Sequence, residues 1–501
     1  MLLITSAKYS STDFTLEFGK IVPSFLPLGN KRLYEYQAKL SKEKVALSLP
    51  NNFKVNHCDL EKLEKLNIKL IFVEPNLSLG ESILYCINAL NINGNLSILH
   101  GDTFFSNLDL KEDSLCVSAV RENYEWAYLD KEFNIVNEGG GGGKILTGAF
   151  CFSDARTLAK HLVVNHYDFV KSVKSYSKEK IMWVIENETW LDFGLMTNYF
   201  HSKKIISTQR SFNEMQISQN YIIKNSSWTE KIKAEKAWFE NLPSTLLIYT
   251  PKYFTQKSGY ALEYLHHNTL SELFVFGSLP DFIWKKIFLS IKDFLNICDT
   301  FKSEDKLNFN YQEKTLSRLK EFAKQRNIDL DKPFILNHTP QLSLNELVKQ
   351  TSEFLPSIKE FSLIHGDFCF SNIMYDFRGN LIKTYDPRGL DFDGKISIFG
   401  DKNYDLAKLT HSVLGLYDFI IAGFYECELK DYNLSFKLEI NENIIAIQNT
   451  FKEIFKIDKT LMTLTLHLFL SMLPLHNDDA KRQNAFLANA YRIYDLLKEE
   501  R

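Results

Sequence analysis

The sequence predicts two domains of different fold, an α/β domain with a mostly parallel sheet at 1-212 and an α+β bilobal domain at 213-501. The first observation is length, because 501 residues exceed the ~100–200 residues that one domain usually holds. The second is the alternation of short β-rich runs with helical stretches up to about residue 210, which is typical of a parallel sheet. The third is a change near residue 213, where a short β-rich segment precedes a long helical one.

The N-terminal alternation consists of short apolar runs separated by helical segments. Strands are expected at Leu2–Ser6, Lys69–Val73, Leu96–His100, Cys116–Val120 and Phe150–Phe152, and helices at Leu33–Leu40 and Glu81–Leu90. Because open α/β sheets bind ligands at the carboxyl ends of their strands, we look for site residues directly after these runs.

The C-terminal domain divides into a small lobe at about 213-270 and a large helical lobe at about 271-501. In the small lobe we expect β-structure at Met215–Lys224, a helix at Trp228–Phe239, and strands at Leu246–Tyr249 and Tyr260–Leu265. After Ser271 the pattern is helical except for the segment 361–386.

Composition excludes several classes of protein. A net charge of -3 gives no electrostatic reason to expect nucleic acid as a partner. The seven cysteines include no CxxC pair, which indicates reduced thiols in a cytoplasm and not a disulfide frame or a zinc site. The apolar runs Val413–Tyr425 and Leu461–Leu475 are shorter than the ~20 residues of a membrane span, so we expect buried helices there. The N-terminus lacks a basic segment before a long apolar run, so we expect no signal peptide and a cytoplasmic location.

The strongest motif is the run FSLIHGDFCFSNIMYDFRGNLIKTYDPRG at 361–389. An apolar strand ends in His365-Gly366-Asp367, Asn372 follows five residues later, and Asp386 stands fourteen residues beyond Asn372. Phosphoryl transfer needs positioning and charge neutralisation more than covalent chemistry. Asp367 can accept the proton of an attacking hydroxyl, and Asn372 and Asp386 can hold Mg²⁺ against the phosphates of ATP. The alternative is a β-hairpin with incidental acids, which the combined spacing makes the weaker interpretation.

Downstream, the run Gly400-Asp401-Lys402-Asn403-Tyr404-Asp405-Leu406-Ala407 adds to this motif. Together they resemble the aminoglycoside phosphotransferase and choline kinase superfamily, over residues from about 213 to 501. The resemblance implies a bilobal, protein-kinase-like fold and ATP-dependent phosphorylation of a small molecule. It also implies that His365 and Asp405 support the catalytic loop.

In the small lobe, Lys224 at a strand end and Glu235 on the next helix match a Lys–Glu pair that orients the α- and β-phosphates. A surface lysine and a helix-face glutamate are the ordinary alternative. Glu263, in Glu263-Tyr264-Leu265, is the candidate for the adenine contact. Gln209-Arg210-Ser211-Phe212-Asn213 stands where a glycine-rich loop would lie, so side chains are expected to replace its backbone contacts.

Five N-terminal segments occur in order: PSFLPLGNKRLYEYQ at 23–37, LSLGESI at 77–83, HGDTFF at 100–105, TGAFCF at 147–152 and WLDFG at 190–194. They resemble the sugar-phosphate nucleotidyltransferases, including cytidylyltransferases of the choline-phosphate type, and imply a Rossmann-like fold. Such chemistry needs carboxylates that hold Mg²⁺ while a phosphate oxygen attacks the α-phosphate of an NTP, here CTP or GTP. Asp102 and Asp192 fit those roles, although each could instead cap a turn or a helix.

The N-terminal domain departs from that family where the triphosphate would bind. The first strand runs into Ser6-Ala7-Lys8-Tyr9-Ser10-Ser11 without glycine, and Pro23 stands where the family lysine is expected. Substitute cations are Lys8, Lys20, Lys31 and Arg32. Because glycine turns bring backbone amides closest to phosphate, two alternatives stay open: a distant active enzyme or a non-catalytic substrate-binding domain.

Three further features have both a functional and an ordinary interpretation. Glu138, five glycines and Lys144 predict either a loop over the nucleotidyltransferase pocket, with Lys144 on a phosphate, or a hairpin tip. Tyr311, Lys314 and Arg318 share a helical face that could contact a phosphate or an acceptor, or be solvated. His476 could reach the acceptor pocket or simply end a helix.

The two domains suggest consecutive steps. We expect a bifunctional enzyme that phosphorylates a small alcohol or sugar with ATP and activates the product with CTP or GTP. Such fusions resemble enzymes that supply capsule or other surface-glycan precursors in bacteria. The alternatives are a kinase with a substrate-binding N-terminal domain, and a pseudoenzyme scaffold in glycan assembly. The sequence leaves the acceptor and the oligomeric state open, a homo-oligomer included.

Overall fold

The computed structural model describes residues 1–119, 127–130, 135–136, 143–206, 213–217, 220–226, 229–257 and 259–499. The chain divides into two compact units, Met1–Ser207 and Thr208–Arg501. Each unit is described by itself below. No helix among the described residues is long and apolar enough to cross a membrane.

The N-terminal unit alternates strands and helices. Its strands are β1 (Leu2–Thr5), β2 (Pro27–Leu28), β3 (Lys31–Arg32), β4 (Val45–Pro50), β5 (Ile68–Val73), β6 (Leu96–His100), β7 (Thr103–Phe105), β8 (Ser114–Ala119), β9 (Tyr128–Leu129), β10 (Ile135–Val136), β11 (Lys144–Phe152), β12 (Trp183–Glu186) and β13 (Trp190–Asp192). Its helices are α1 (Thr12–Phe18), α2 (Leu33–Gln37), α3 (His57–Lys65), α4 (Leu79–Ala89), α5 (Ala155–Val164), α6 (Phe169–Glu179) and α7 (Met196–Ile205).

The main sheet has the order β10-β9-β11-β6-β1-β4-β5, with β8 paired to β11 and β12. Strands β6, β1, β4 and β5 are parallel, as the α/β alternation predicts, whereas β11 runs antiparallel to β6 and β8. The parallel register sets Thr5 opposite His100. The carboxyl ends of β1 and β6 therefore lie side by side, where a ligand site is expected.

Some N-terminal elements differ from the prediction. The strand Val45–Pro50 was not predicted, because all six residues are buried and the run lacks alternation. The segment 33–40 is a short helix followed by a 3-10 turn at Ala38–Leu40, not one continuous helix. The strand expected at Phe150–Phe152 is the end of the longer β11. Leu96–His100 has the predicted bounds.

The C-terminal unit is β-rich at first and then mainly helical. Its strands are β14 (Asn213–Ile217), β15 (Tyr221–Ser226), β16 (Tyr253–Thr255), β17 (Tyr260–Glu263), β18 (Asn268–Thr269), β19 (Lys302–Ser303), β20 (Ile335–Leu336), β21 (Thr339–Pro340), β22 (Phe361–Leu363), β23 (Ile373–Asp376), β24 (Leu381–Thr384), β25 (Phe399–Gly400), β26 (Tyr425–Lys430) and β27 (Asn433–Leu438). Its helices are α8 (Thr229–Glu240), α9 (Leu270–Phe276), α10 (Asp281–Asp299), α11 (Tyr311–Arg326), α12 (Leu344–Thr351), α13 (Lys402–Val413), α14 (Tyr417–Ile421), α15 (Glu442–Ile454), α16 (Lys459–Met472) and α17 (Ala480–Glu499).

The small lobe contains an antiparallel sheet with the strand order β14-β15-β17-β16. Helix α8 comes directly after β15 in the sequence. The strand expected at Leu246–Tyr249 is wrong, because Ser244–Tyr249 forms a 3-10 helix after Pro243. Leu247 and Ile248 are exposed there, and a short apolar run does not by itself distinguish a strand from a helical turn.

In the large lobe the helix α16 is buried along nearly its whole length, as expected for Leu461–Leu475. The helical expectation for Val413–Tyr425 is only partly confirmed, because α14 (Tyr417–Ile421) is the one helix that lies within this run. Leu416, which has a φ of 54°, separates α13 from α14, and β26 begins at Tyr425. The hairpin β26–β27 was also not predicted.

Candidate active sites

In the C-terminal unit the His365-Gly366-Asp367 motif forms a loop after β22, the candidate catalytic loop, which is held by Asp405. Asp405 accepts hydrogen bonds from the backbone amides of His365 at 2.6 Å and Gly366 at 2.8 Å. Gly366 has a φ of +78°, and a Cβ at this position would lie 2.8 Å from Cβ of Arg388. A side chain at position 366 would therefore displace the loop, and Asp405 fixes it from below.

His365 supports the same loop from inside the lobe. Burial lowers the pKa of His365 to about 4, so the ring is neutral at neutral pH. Its Nε2 lies 3.0 Å from the carbonyl oxygen of Tyr385, which can only accept, so Nε2 carries the proton. Nδ1 is then free to accept the amide of Asp367 at 3.3 Å. His365 thus links the catalytic loop to the strand that precedes Asp386.

The metal-ligand candidates are brought together by the hairpin β23–β24. The ladder sets Ile373 opposite Thr384, and the amide of Tyr385 donates to the carbonyl of Asn372 at 3.1 Å. Asn372 therefore lies next to Tyr385, the residue that directly precedes Asp386. The amide nitrogen of Asn372 donates to Oδ2 of Asp367 at 3.0 Å, which leaves its amide oxygen as the available ligand atom.

Lys224 and Glu235 pair as the sequence suggests, and Asp386 joins them. The Lys224 ammonium lies 2.8 Å from Oε2 of Glu235 and also contacts Asp386. Tyr260 donates to Glu235 at 2.6 Å. Burial lowers the pKa of Lys224, but Asp386 and Glu235 raise it by more, so this ammonium is held charged. The three residues thus form one charged group beside the catalytic loop.

Helix α8 contacts two segments near the candidate catalytic loop, one at Ile364 and the other at Gly389. The indole of Trp238 donates to the carbonyl of Ile364 at 2.7 Å. A Cβ at Gly389 would lie only 2.2 Å from the carbonyl oxygen of Ala234, so the turn after Asp386 packs directly on the helix that carries Glu235. This contact requires glycine.

Lys408 was missed by the sequence analysis. Its ammonium lies 2.9 Å from Oδ1 of Asp367. Partial burial raises the pKa of Asp367, but Lys408 lowers it by more, and the pKa ends well below the ordinary range. The available signal was position, because Lys408 follows Asp405 by three residues on α13 and faces the same loop.

Two other predicted residues of this unit lie elsewhere. Glu263 is exposed at the end of β17, and its backbone amide bonds the carbonyl of Lys252 at 2.9 Å. The ring of His476 packs 4.8 Å from that of Phe486, at the end of a 3-10 helix. The described contacts join neither residue to Asp367.

In the N-terminal unit the two predicted acids converge. Asp192 pairs with Thr103 across β13–β7, and the amide of Phe193 donates to the carbonyl of Asp102 at 2.8 Å. A Cβ on Gly194 would lie 2.9 Å from Oδ2 of Asp102 and 3.2 Å from Oδ1 of Asp192. Burial, and then the charge of Asp102, raise the pKa of Asp192 to about 7.

Asp102 lines a pocket of about 380 Å³ beyond the carboxyl ends of β1 and β6, as do Phe193 and Gly194, which directly follow Asp192. The lining includes Ser6 and Lys8 after β1, Ser78 and Ser82 at the start of α4, and Asp102. Ser78 caps α4 by accepting the amide of Glu81. The size and position suit a nucleotide, since ligand pockets commonly measure ~300–1,000 Å³.

The loop that carries Asp102 is anchored by a residue that the sequence analysis did not single out. The amide nitrogen of buried Gln37 donates to the carbonyls of Gly101 and Thr103, each at 2.9 Å. Ser24 donates to Gly101 at 3.3 Å. The segment 23–37 thus fixes the acid loop.

The candidate cations of this unit are dispersed. Lys8 lines the pocket, and Lys20 lies outside the lining with its ammonium 6.0 Å from the ring centroid of Tyr9. Arg32 is buried and bonds Asp59 at 3.0 Å, so it is engaged in the protein interior. Lys144 pairs with Glu186 on the surface.

Two predicted loops cannot be placed. Glu138 and the glycines up to residue 142 lie outside the described residues, as do residues 209–212 of the segment expected to replace a glycine-rich loop.

The N-terminal part of the chain is similar to solved nucleotidyltransferase structures. A nucleoside-diphosphate-sugar pyrophosphorylase from Vibrio cholerae is 15% identical with a TM-score of 0.34, over 41% of this chain and 100% of that one. CTP:phosphocholine cytidylyltransferase from Streptococcus pneumoniae is 16% identical with a TM-score of 0.35, over 41% and 98%. An inositol-1-phosphate CTP transferase from T. maritima is 14% identical with a TM-score of 0.32, over 41% and 95%.

No family model and no curated protein matches the chain. At these identities and TM-scores the structural similarities carry no argument about function, which has to come from the residues themselves.

Proposed function

We propose that the chain is a bifunctional enzyme. The C-terminal unit phosphorylates a small alcohol or sugar with ATP, and the N-terminal unit joins the phosphorylated product to a nucleotide from CTP or GTP. The observation that carries the kinase assignment is the group formed by Asp367, Asn372, Asp386 and the Lys224–Glu235 pair.

In the kinase reaction Asp367 receives the proton of the acceptor hydroxyl. Lys408 holds Oδ1 of Asp367 and Asn372 holds Oδ2, so the carboxylate is oriented at both oxygens before the acceptor arrives. Such positioning is the main contribution that a protein makes to phosphoryl transfer. Lys224 is held charged between Glu235 and Asp386, at the place where it can meet the α- and β-phosphates of ATP.

The donor atoms fit a hard divalent cation. The amide oxygen of Asn372 and the carboxylate of Asp386 are oxygen ligands of the kind that Mg²⁺ takes beside phosphates. Asp386 adopts a left-handed backbone with a φ of 59°, which aspartate tolerates and which is often retained at functional sites. Mg²⁺ would supply neutralisation of the phosphate charge there.

In the N-terminal unit Asp102 and Asp192 are the metal-ligand candidates. Two carboxylates this close repel each other unless a proton or a cation lies between them. Burial chiefly, and then the charge of Asp102, raise the pKa of Asp192. A divalent cation there would allow both to ionise beside the triphosphate in the pocket. We place Lys8 on the phosphates, because it lines that pocket.

A second candidate is a kinase whose N-terminal unit only binds substrate. The lining of the pocket favours it, because Lys8 is the one lysine or arginine among the described residues that line the pocket. A triphosphate carries several charges, and one exposed lysine neutralises few of them.

For the biological role we propose supply of nucleotide-activated precursors for a capsule or another surface glycan. A nucleoside diphosphate derivative of a phosphorylated alcohol is an activated donor for such polymers. The acceptor, the choice between CTP and GTP, the cytoplasmic location and a homo-oligomeric state remain proposals.

The experiment is mass spectrometry of incubations with ATP, CTP or GTP and a panel of sugars and alcohols. We expect a product heavier by one phosphoryl group with ATP, and a nucleotidylated product when CTP or GTP is added. Phosphorylation without nucleotidyl transfer would select the second candidate. No phosphorylation of any acceptor would refute the kinase.

A further inference from the structure

Three cationic side chains from three separate elements gather around the hydroxyl of Tyr404. Lys314 on α11 lies 3.3 Å from this hydroxyl, and Arg388, which follows β24, lies 3.4 Å from it. Lys408 on α13 lies 6.0 Å from the ring centroid of Tyr404 and 2.9 Å from Asp367. We call Lys314, Arg388, Lys408 and Tyr404 the cation cluster.

The cation cluster carries more positive charge than its neighbours balance. Asp367 pairs with Lys408, whereas neither Lys314 nor Arg388 forms an ion pair with a carboxylate among the described residues. The side chain of Arg388 donates instead to the carbonyls of Leu390 at 3.0 Å and Asp391 at 3.5 Å. Among the described residues, the close ion pair with Asp367 therefore balances Lys408, whereas Lys314 and Arg388 have no carboxylate within ion-pair distance.

The pKa values of the cluster express this surplus. Burial lowers the pKa of Lys314, Tyr404 opposes this effect, and Arg388 and Lys408 reinforce it, so that the pKa is lowered to about 8. Burial would raise the pKa of the Tyr404 phenol, but the surrounding cations lower it by more, to about 8. Both Lys314 and Tyr404 therefore lose a proton more easily than usual. For Tyr404 the cause is the surrounding positive charge, which an anionic ligand would offset.

A solvated charged face does not explain the arrangement. The ammonium of Lys314 lies 3.7 Å from the ring centroid of Phe392, and Arg388 lies 5.2 Å from the same ring. Lys320, which lies on the same helix α11, is by contrast exposed. Removing the charges of Lys314 and Arg388 from water without a paired carboxylate costs solvation free energy. Such arrangements are typical of functional sites, where a bound ligand offsets the cost.

The position of the cluster relative to Asp367 assigns it to the acceptor. Oδ2 of Asp367 is bonded by Asn372, the metal-ligand candidate, whereas Oδ1 is bonded by Lys408. The metal-ligand candidate and the cation cluster therefore contact different oxygens of the Asp367 carboxylate. A hydroxyl delivered to Asp367 can carry a substituent that extends onto Tyr404.

We propose that the acceptor of the kinase is an alcohol that bears an anionic group, a carboxylate or a phosphate, and that this group binds to Lys314, Arg388 and the Tyr404 hydroxyl. The inference rests on the proposed kinase function and defines its substrate class. In the reaction the acceptor oxygen forms a bond to the γ-phosphorus of ATP while the bond from that phosphorus to the β–γ bridging oxygen breaks. Asp367 takes the hydroxyl proton, and ADP leaves.

The first test measures anion binding without knowledge of the acceptor. The full-length protein, with Mg²⁺ and a non-hydrolysable ATP analogue at saturation, is titrated with inorganic phosphate by calorimetry. We expect Lys314→Met to weaken phosphate binding about 10-fold or more, as for a lost hydrogen bond between charged groups. Lys314→Arg should retain most of the affinity, and the matched control Lys320→Met should not change it. Equal binding by Lys314→Met and wild type would overturn the inference.

The second test separates this inference from the kinase assignment and distinguishes the two anions. Phosphorylation by ATP is compared for glycerate, glycerol 3-phosphate, glycerol and ethanolamine. Preference for either of the first two, with a raised acceptor KM and an unchanged ATP KM in Lys314→Met, supports the proposal and identifies the anion. Preference for glycerol or ethanolamine refutes the anionic acceptor but leaves the kinase intact. A raised ATP KM alone would place the cluster on the nucleotide and also refute it.

Discussion

The ammonium of Lys408 lies 2.9 Å from Oδ1 of Asp367, and this ion pair connects α13 to the catalytic loop. Asp405, on the same helix, bonds the amides of His365 and Gly366. One helix therefore both positions the loop and sets the charge of its carboxylate. A carboxylate with a lowered pKa is a weak base, which suits a transfer in which the hydroxyl proton departs late.

Asp367→Asn should reduce kcat of the kinase by ~10²–10⁴-fold, because an amide cannot accept the hydroxyl proton. The substitution keeps the size of the side chain, so cooperative unfolding should be retained. The measurement is ADP release with the acceptor found by mass spectrometry. Asp305→Asn, an exposed acid of the same unit, is the control. Near-normal turnover by Asp367→Asn would remove Asp367 from the mechanism.

Asp386→Ala should abolish phosphorylation and leave nucleotidyl transfer unchanged, because the proposed metal sites belong to different units. The two activities are assayed separately, the second with pre-phosphorylated acceptor. If both activities disappear in a protein that still melts cooperatively, the scheme of two independent sites is wrong.

Asp102→Ala should stop pyrophosphate release from CTP or GTP without slowing the kinase. The reason is that both carboxylates lie close to Gly194, which makes Asp102 and Asp192 the candidate metal ligands of the N-terminal unit. A coupled pyrophosphate assay measures the effect, and the exposed Asp109 supplies the control variant Asp109→Ala. Wild-type protein that releases no pyrophosphate with either nucleotide would make this unit a binding module.

Lys224→Met should destabilise the C-terminal unit by roughly 3–5 kcal/mol, because it leaves Glu235 buried without its main cation. The double variant Lys224→Met/Glu235→Met should recover much of that stability, since two apolar side chains replace the pair. It should not recover activity, because Lys224 is needed on the phosphates. Urea unfolding and kcat are measured together, with exposed Lys233→Met as control. Recovery of activity in the double variant would show that the pair is only structural.

We expect the free energy of unfolding to fall as the pH rises from about 4 through about 6, because Asp418 ionises in the folded protein over this range. Burial raises the pKa of Asp418 to about 6, above its ordinary value of ~3.9 in unfolded chains. The folded state therefore binds the proton more tightly, and the stabilisation present at low pH is lost as the group ionises. Asp418→Asn stays neutral and should be more stable than wild type at pH 8, by about 3 kcal/mol. Melting curves at pH 4 and pH 8 test this, and an equal difference at both pH values would contradict it.

The sequence could indicate which residues of the segment 361–389 lie near one another, because that information is local. His365, Asp367, Asn372 and Asp386 lie within one strand–loop–hairpin segment, so their spacing alone determines that they meet. The same holds for Asp102, which directly follows a strand with the predicted bounds. The function of these residues remains a prediction until the variants above are measured.

The cation cluster was not predicted because its members are far apart in the chain. Lys314 was noted as part of a helical face that could contact a phosphate or an acceptor, or be solvated, and nothing in its neighbourhood identifies Arg388 or Lys408 as partners. The strand Val45–Pro50 was missed for another reason, since a strand buried on both faces has no alternation. The hairpin β26–β27 does alternate, with buried Leu434 and Phe436, so periodicity could have found it.

The tripeptide Asp386-Pro387-Arg388 has a further consequence. Asp386 meets Lys224 at one end, while Arg388 reaches Tyr404 at the other. Proline restricts the backbone between them, and Gly389 locks the turn onto α8. In the proposed kinase reaction, the tripeptide would therefore fix the distance between the transferred phosphoryl group and the acceptor anion. An enzyme built this way would select among homologous acceptors by the number of bonds between hydroxyl and charge, and lengthening the acceptor by one carbon would cost turnover before it cost binding.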